Sequence, residues 1–460
     1  MKRKTDWNGK RVVILGGARQ GQAAARWLVL HGAIVTVNDH RSAEEMATAR
    51  IALVDTPVTW VFGSHPVEIL DNADVLCISG GIPLDNPIVI DAMKRGIPVT
   101  NDTQIFLEVA PCRTVGITGS AGKTTTTALL GQMSRNAIGD RTFIGGNIGD
   151  PLLNYVDKMD SNDLAILEIS SFQLEQMTIS PNVAAILNIT PNHLDRHGTM
   201  EAYTASKRRI LEFQRKEDIA ILNRTDAGSW KLHENILGRL ISFGSDTLQG
   251  KQEGTFLENG ILYLHQNEKN IPLMQRDQIQ LRGWHNVINI LAAIAIGYAA
   301  GLSTDGMISA VKEFRGVAHR LEFVREWKGV QWYNDSIATA PERTMAAIQS
   351  FSEPIVLLLG GRDKNLPWEE LARLVRQRVE HVVLFGEAAG KINAALNQAT
   401  GSLPLTLTTC KDLEEAIRAA NKVATPGSIV LLSPGGTSFD QFTDFEERGK
   451  AFQKWVSELL

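Results

Sequence analysis

Again and again along this chain, a short unbroken run of apolar residues stops at glycines or polar residues: RVVIL from Arg11, TVGIT from Thr114, LAILE from Leu164, VAAILNI from Val183, IVLLLGG from Ile355 and IVLLSPGG from Ile429. A strand with one wet face alternates apolar and polar residues. Runs that are apolar at every position belong to strands covered on both faces, as in parallel sheets flanked by helices. Helix-patterned stretches such as AAARWLVLHG separate the runs, so the chain is predicted to be α/β, with doubly wound, mainly parallel sheets. Ligands of open sheets of this kind gather at the carboxyl ends of the strands, and the chemistry is therefore sought where each run ends.

With 460 residues the chain is too long for one core, and at roughly 150 residues per domain it predicts three domains. The first, residues 1–111, opens as strand, turn, helix, strand and has a Rossmann-like pattern. The second, 112–316, starts where TVGIT runs into a glycine loop and looks like a phosphate-loop ATPase domain. It includes a polar, turn-rich stretch from Gly244 to Leu281 with short β-like pieces, and a buried helix from near His285. The third, 317–460, follows a turn at Gly316 and repeats the Rossmann-like rhythm through VQWYNDS, PIVLLLGG, HVVLFG and SIVLLSPGG. A hinge is expected near Gly316.

A formal net charge of −4 gives no broad cationic footprint for nucleic acid, so small-molecule partners are expected. The basic start MKRKTDWNGK continues polar, without the apolar core of a secretory signal. ILAAIAIGYAAG, from Ile290, is too short to span a bilayer of about 30 Å. Cys77, Cys112 and Cys410 lie far apart with no CxxC pair, as in a reducing compartment. A soluble, cytoplasmic, monomeric enzyme without membrane insertion is the expectation.

The stretch GITGSAGKTTTT, Gly116 to Thr127, joins an apolar strand to a helical segment through a glycine loop ending Gly-Lys-Thr. Backbone N–H groups of Gly119, Ser120, Ala121, Gly122, Lys123, Thr124 and Thr125 are placed to cradle a polyphosphate. Lys123 would neutralise its charge and Thr124 would offer a hydroxyl to Mg²⁺. The spacing is tighter than the usual phosphate loop, with Ile117 where its first glycine stands, and an ordinary strand-to-helix turn is the alternative. In the first domain Gly16, Gly21 and Asp39 match parts of the dinucleotide fingerprint, but Ala18 holds the position of its second glycine. That weakens a grip on NAD and leaves room for another nucleotide diphosphate.

Further candidates stand where strands end. Glu168, closing DLAILE, suits a Mg²⁺ ligand, with a surface acid as the bland alternative. His193, in NITPNHLDRHGT, can bind a metal or move a proton, and Asp195 and His197 crowd the same loop. Lys207, in EAYTASKRRILEF, reads by default as one of three adjacent cations on a solvated helix face. Asp335, Thr339, Lys364 and Ser438 follow strands of the third domain, where they can bind amine, carboxylate or phosphate, or simply shape turns.

Taken in order, these motifs resemble the Mur ligase family, the ATP-dependent amide ligases of peptidoglycan precursor synthesis. The resemblance runs through TGSAGKTT, GGNIGDPL, LEISSFQLE, NHLDRHGTMEAYTASK and HNVINILAA, and in the carboxyl third through AHRLEFV, YNDSIATAPE, LLLGGRDKN and LSPGGTSFDQF, which look like the branch that adds D-glutamate. It implies UDP-N-acetylmuramoyl-L-alanine and D-glutamate as substrates, ATP as phosphoryl donor, and two Mg²⁺ ions for which Mn²⁺ can substitute. Lys123, Glu168, His193 and Lys207 would be catalytic, with Thr124, Glu168, His193 and a carbamoylated Lys207 holding metal. Asn286, Asn289, Arg320 and Asp335 would serve ATP beside the loop. The uridine diphosphate substrate would lie on Gly17, Ala18, Arg19, Gln20, Asp39, His40, Arg41, Ser79, Gly80, Gly81, Asn147 and His193. D-Glutamate would lie on Thr339, Lys364, Ser438 and Phe445.

Departures from the family pattern are Ala121 for an asparagine, Gly80 for a proline, and Ile337 for a lysine in the motif read here as NDSIAT. The last removes a cation near substrate carboxylates and shifts that task toward Lys364 or Arg343. Rivals are a Mur-type or folylpolyglutamate-type ligase for another amino acid, and a phosphate-loop switch or motor ATPase that joins nothing.

Overall fold

The computed structural model describes residues 5–401 and 405–459; the side chain of Asp195 lies outside the described residues. Three open, mainly parallel sheets flanked by helices carry the chain, the α/β architecture that the apolar runs predict. The first sheet is all parallel in the order Val58–Phe62, Ile34–Asp39, Arg11–Leu15, Val75–Ile78, Val99–Thr100.

At the centre of the second sheet, Arg113–Thr118 lies between Leu164–Glu168 and Val183–Ile186, in parallel with both. Thr142–Gly146 pairs beyond the first of these, and Ile219–Asn223 and Arg239–Phe243 beyond the second. The turn-rich stretch after Gly244 supplies Gly254–Glu258, Ile261–Gln266 and Lys269–Gln275, which continue the sheet to its edge, the last two antiparallel. Their first hairpin turns at Asn259 (φ 49°) and Gly260 (φ 78°), the left-handed pair that a two-residue connection needs. The third sheet runs Glu322–Trp327, Val330–Asn334, Ile429–Gly435, Ile355–Gly360, His381–Phe385, Thr406–Thr409, parallel except for its first strand.

Several strands were absent from the apolar-run reading. Val58–Phe62, Thr142–Gly146, Glu322–Trp327 and Thr406–Thr409 are each the outermost strand of a sheet. Edge strands are covered incompletely, so they need no continuous apolar run.

Contacts divide the chain into two compact units, residues 1–279 with 285–314, and residues 280–284 with 315–460. The first holds the first two sheets, and its core passes from one to the other through Ile105, Phe106, Leu107, Leu152, Leu153 and Val156. Polar links join the same two layers: Trp27 Nε1 donates to Asp157 Oδ1 at 3.2 Å, and Asn101 Nδ2 to the Gln173 carbonyl at 2.8 Å. The apolar run from Ile290 lies within the buried helix Trp284–Ala300. No described helix is long and apolar enough to cross a membrane, and the three cysteines are buried, with no disulfide among the described residues.

Asp102, in the first turn of the helix Asp102–Val109, is buried with its Oδ1 unpartnered. Burial pushes its carboxyl up to about 7, against the lowering effect of the Thr103 and Asp102 backbone N–H groups. Between pH 4 and 7 the folded chain therefore holds a proton that the unfolded chain has lost, so this group makes stability fall as pH rises. Asp102→Asn removes that slope and raises stability at pH 8 by up to about 4 kcal/mol for three pKa units, and the thermal midpoint with it. A pH series of melting curves checks this, and parallel curves for the two proteins would refute it.

Candidate active site

The strand Arg113–Thr118 delivers the loop Gly119–Gly122 to the start of the helix Lys123–Ile138. Gly122 has φ 84°, and a Cβ there would lie 2.2 Å from Asn289 Oδ1, so the loop closes only with glycine at this point. Asn289 also donates to Asn286 Oδ1 at 3.2 Å, which brings both asparagines of the helix Trp284–Ala300 to the loop's flank. Lys123 Nζ donates back to the Gly119 carbonyl at 2.8 Å. The N–H groups of the helix's first turn, which includes Lys123, Thr124 and Thr125, have no partner from a preceding helical turn and favour an anion.

The loop is held from the neighbouring strand. Asn188, just past Val183–Ile186, accepts from the Ala121 N–H at 2.8 Å and donates to the Ala121 carbonyl at 3.1 Å. Ser120 Oγ donates to the Thr190 carbonyl at 2.9 Å and accepts from Tyr203 Oη at 3.0 Å. Asn188 and Tyr203 were not picked out from sequence. Asn188 had a usable signal, a polar side chain at the carboxyl end of a buried strand; Tyr203 had none.

Glu168 ends the adjacent strand and is 2% exposed. Asn147 donates its Nδ2 to Glu168 Oε1 at 2.9 Å, while Oε2 is buried with no hydrogen-bond partner. An orphaned carboxylate oxygen beside a phosphate loop is suited to a cation. Lys207, on the helix Met200–Glu212, is 1% exposed, whereas Arg208 beside it faces outward. The solvated-face alternative therefore fails for Lys207. Its ammonium sits 4.7 Å from the Tyr203 ring and 3.4 Å from Thr118 Oγ1. Burial first, then the charge of Lys123, lowers its pKa to about 7. An amine poised there is partly neutral near pH 7, and the neutral amine is the form that adds CO₂ to give an anionic carbamate.

His193 is exposed, in left-handed backbone (φ 52°) just before the helix Leu194–His197, with its ring edge-on to Phe172 at 5.2 Å. His197 stacks on the same Phe172, places Nδ1 3.0 Å from Glu175 Oε1 and hydrogen-bonds Ser171 Oγ through Nε2 at 3.0 Å. It thus fastens the loop rather than duplicating His193. Among the described residues, no three His, Cys, Asp or Glu side chains converge on one point. Of the residues expected from the sequence to hold a divalent ion, Thr124, Glu168, His193 and a modified Lys207, Glu168 offers an orphaned oxygen, which suits Mg²⁺ completed by phosphate oxygens and water.

The first sheet turns its strand ends toward the same region. Gln20 Nε2 donates to the Gly146 carbonyl at 3.4 Å, next to Asn147. Arg196 Nη2 donates to the Ile82 carbonyl at 3.0 Å, tying the Ser79–Ile82 turn to the histidine loop. Gly17, Ala18 and Arg19 form the turn between Arg11–Leu15 and the helix Arg19–Leu30, with Ser79 Oγ donating to the Gly16 carbonyl at 3.1 Å. Gly80 and Gly81 leave open space or only loose contact where a side chain would stand. Asp39 accepts from Gly17 N at 2.9 Å and from Arg41 through Nε at 2.9 Å, Nη2 at 2.8 Å and N at 3.1 Å. Burial raises its carboxyl, but those hydrogen bonds prevail and hold it far below the usual range. With about four acceptor sites per carboxylate already taken, Asp39 fixes Arg41, while His40 is exposed beside it.

In the second unit, Val330–Asn334, Ile429–Gly435 and Ile355–Gly360 are neighbours in parallel, so Asp335 and Thr339, Ser438, and Lys364 follow adjacent strand ends. Asp335 is buried, accepting from Ser433 Oγ at 2.8 Å and Leu321 N at 3.1 Å. Burial pushes its carboxyl up to about 7, against Arg320 and Arg343, whose charges pull it down. Phe445 opens the helix Phe445–Ser457, and its carbonyl accepts from Ser336 Oγ at 2.8 Å. Buried Arg448, unnoticed in the sequence, braces this turn by donating to the Ser336 and Gly436 carbonyls at 2.8 and 3.1 Å.

A strand-fed phosphate loop flanked by a carboxylate and a buried lysine, together with a separate Rossmann-like unit, defines a nucleotide-dependent ligase architecture, and the chain belongs to the Mur ligase family. Residues 10–101 match the Mur ligase MurD-like N-terminal domain, 117–297 the Mur ligase middle domain and 319–436 the Mur ligase glutamate ligase domain. The chain is 38% identical to the UDP-N-acetylmuramoylalanine–D-glutamate ligase of Koribacter versatilis over 455 residues, 99% of this chain and 98% of that one. It is 36% identical to the enzyme of the same name from Symbiobacterium thermophilum over 450 residues, 98% of both. In overall fold it is similar to UDP-N-acetylmuramate-alanine ligase MurC from Thermotoga maritima (TM-score 0.55, 19% identity, covering 98% of this chain and 100% of that one). The MurF ligase of the same organism, solved in complex with ADP, gives TM-score 0.55 at 18% identity over 99% of both chains.

Proposed function

We propose that this chain is an ATP-dependent acid–D-amino-acid ligase that joins D-glutamate to UDP-N-acetylmuramoyl-L-alanine, a cytoplasmic step of peptidoglycan precursor synthesis. Full-length similarity to enzymes named for that reaction supports the substrates. The single observation that carries the chemistry is Lys207, buried beside the phosphate loop with an amine neutral enough to be carbamoylated.

A carboxylate and an amine do not condense unaided in water. The L-alanyl carboxylate oxygen attacks the γ-phosphorus of ATP, ADP leaves, and an acyl phosphate forms. The D-glutamate amine then attacks the acyl carbon, loses a proton, and expels inorganic phosphate as the amide forms. The loop Gly119–Thr125 holds the phosphates in line, and Lys123 spreads the charge of the moving phosphoryl group. Asn286 and Asn289 line the nucleotide's side of that loop. Arg320 and Asp335 are the residues assigned to ATP in the second unit, and Thr339, Lys364, Ser438 and Phe445 those assigned to D-glutamate. Gly17–Gln20, Arg41 and the Ser79–Gly81 turn bind the uridine diphosphate, and Asn147 holds Glu168 in place. Glu168 Oε2, Thr124, His193 and carbamoylated Lys207 would hold Mg²⁺, replaceable by Mn²⁺, which when bound neutralises charge on phosphate oxygens.

Phosphate release in ATP, Mg²⁺ and UDP-N-acetylmuramoyl-L-alanine tests this, with D-glutamate, L-glutamate, L-alanine and lysine compared. Release is expected only with D-glutamate. Turnover with another amino acid assigns the chain to a different ligation, and release without any amino acid makes it a phosphate-loop ATPase.

A further inference from the structure

D-Glutamate presents two carboxylates as well as its amine, and a site that takes both needs more than one cation. Near the three adjacent strand ends of the second unit, most cations are committed elsewhere. Arg362 makes a bidentate pair with Glu387 through Nε at 2.8 Å and Nη2 at 2.9 Å, and Lys391 is paired with Asp363. Arg448 is buried with its guanidinium spent on Ser336 and Gly436.

Lys364 and Arg343 have no ion-pair partner among the described residues, and both are exposed. Lys364 follows Ile355–Gly360. Arg343 is in the first turn of the helix Pro341–Ile348 and reaches back over the preceding loop, its Nη1 donating to the Ile337 carbonyl at 3.2 Å. That bond spans Thr339, which lies between the two residues in the chain. The neighbouring residue, Thr344, is buried and donates its hydroxyl to the Ser433 carbonyl at 3.1 Å, which pins this turn to the strand leading to Ser438. The Gly435 N–H donates to the Ala338 carbonyl at 2.9 Å and closes the same corner. The guanidinium therefore projects from a fixed base, with one N–H on a carbonyl and the others available. Its side chain brings positive charge to a loop whose own residue, Ile337, has none.

We propose that Arg343 is a specificity-determining residue that holds one carboxylate of the incoming acidic amino acid while Lys364 holds the other. This rests on the D-glutamate reading above. A guanidinium suits the task because its planar fork meets a carboxylate with two parallel hydrogen bonds.

The test is steady-state kinetics of the full-length enzyme and the variants R343Q, R343K and I337K/R343Q, with each substrate varied in turn. For R343Q, the KM for D-glutamate is expected to rise about 10- to 100-fold, the effect of one lost charged hydrogen-bonding partner. The KM for ATP, the KM for the UDP substrate and kcat at saturating D-glutamate are expected to change less than about threefold, since the residue binds substrate without touching the reacting atoms. R343K should recover part of the loss, and I337K/R343Q should recover it by restoring a cation from the loop itself. A wild-type KM for D-glutamate in R343Q overturns the proposal, and so does a parallel loss for all three substrates, which would mark Arg343 as structural. Failure of the wild-type enzyme to use D-glutamate at all overturns the reading beneath it instead.

Discussion

Replacing Lys123 with alanine is expected to lower phosphate release by about a thousandfold or more, the scale on which a charge aimed at a transferring phosphoryl group acts. Most of the loss should appear in kcat, because the charge it answers is greatest in the transition state. The fold should survive. Lys123 starts a helix, its ammonium donates to the Gly119 carbonyl within its own loop, and its charge is among the causes that depress the Lys207 pKa. Removing it relieves that repulsion, so the Lys207 amine becomes harder to deprotonate and harder to carbamoylate. Turnover measured beside a thermal melt separates the outcomes. Activity within tenfold of wild type, with an unchanged melt, would remove Lys123 from the phosphoryl-transfer step.

Lys207→Met should split activity from stability. Activity is expected to fall by about three orders of magnitude, since an apolar residue can neither become a carbamate nor oppose the charge beside it. Stability is expected to rise. The folded pKa lies at about 7 against 10.5 for the free side chain, so between pH 7 and 10.5 the unfolded chain binds a proton that the folded chain does not. The wild type therefore gains stability as pH rises through that window, and it bears the full cost of the buried charge below pH 7. Those 3.5 units correspond to about 5 kcal/mol at most, a cost that methionine does not bear. Melting curves at pH 6 and pH 10 should converge as pH rises. A carbamate carbon signal from ¹³C-bicarbonate, present in the wild type and missing in Lys207→Met, checks the modification directly. Full turnover in that variant would end the assignment.

The two lysines also show how unevenly the site could be read in advance. Lys123 was legible because the loop chemistry is local: strand, glycines, lysine and helix are consecutive, and the backbone path follows from them. Lys207 was not, because Lys207, Arg208 and Arg209 look alike along the chain, and only packing beneath the central sheet turns one of them inward. Asp39 was legible as an acid at a strand end, but the hydrogen bond it accepts from Gly17 comes from a turn 22 residues earlier in the chain. The edge strands stayed hidden for a related reason. Their sequences are not continuously apolar, since one side of each lies at a sheet margin, and pairing alone makes them strands.

The chain's local chemistry pointed to the fold class and to the kind of ligand. Unbroken apolar runs fit sheets covered on both faces, and a glycine loop between a strand and a helix offers N–H groups that favour an anion. Only the tertiary structure decided which charges are spent and which are available: Asp39 and Arg362 are occupied, Glu168 keeps an orphaned oxygen, Lys207 loses its solvent, and Arg343 keeps most of its donors. A side chain's identity is written at its own position, but its protonation and its hydrogen bonds are set by groups far away in sequence that folding brings within a few ångströms.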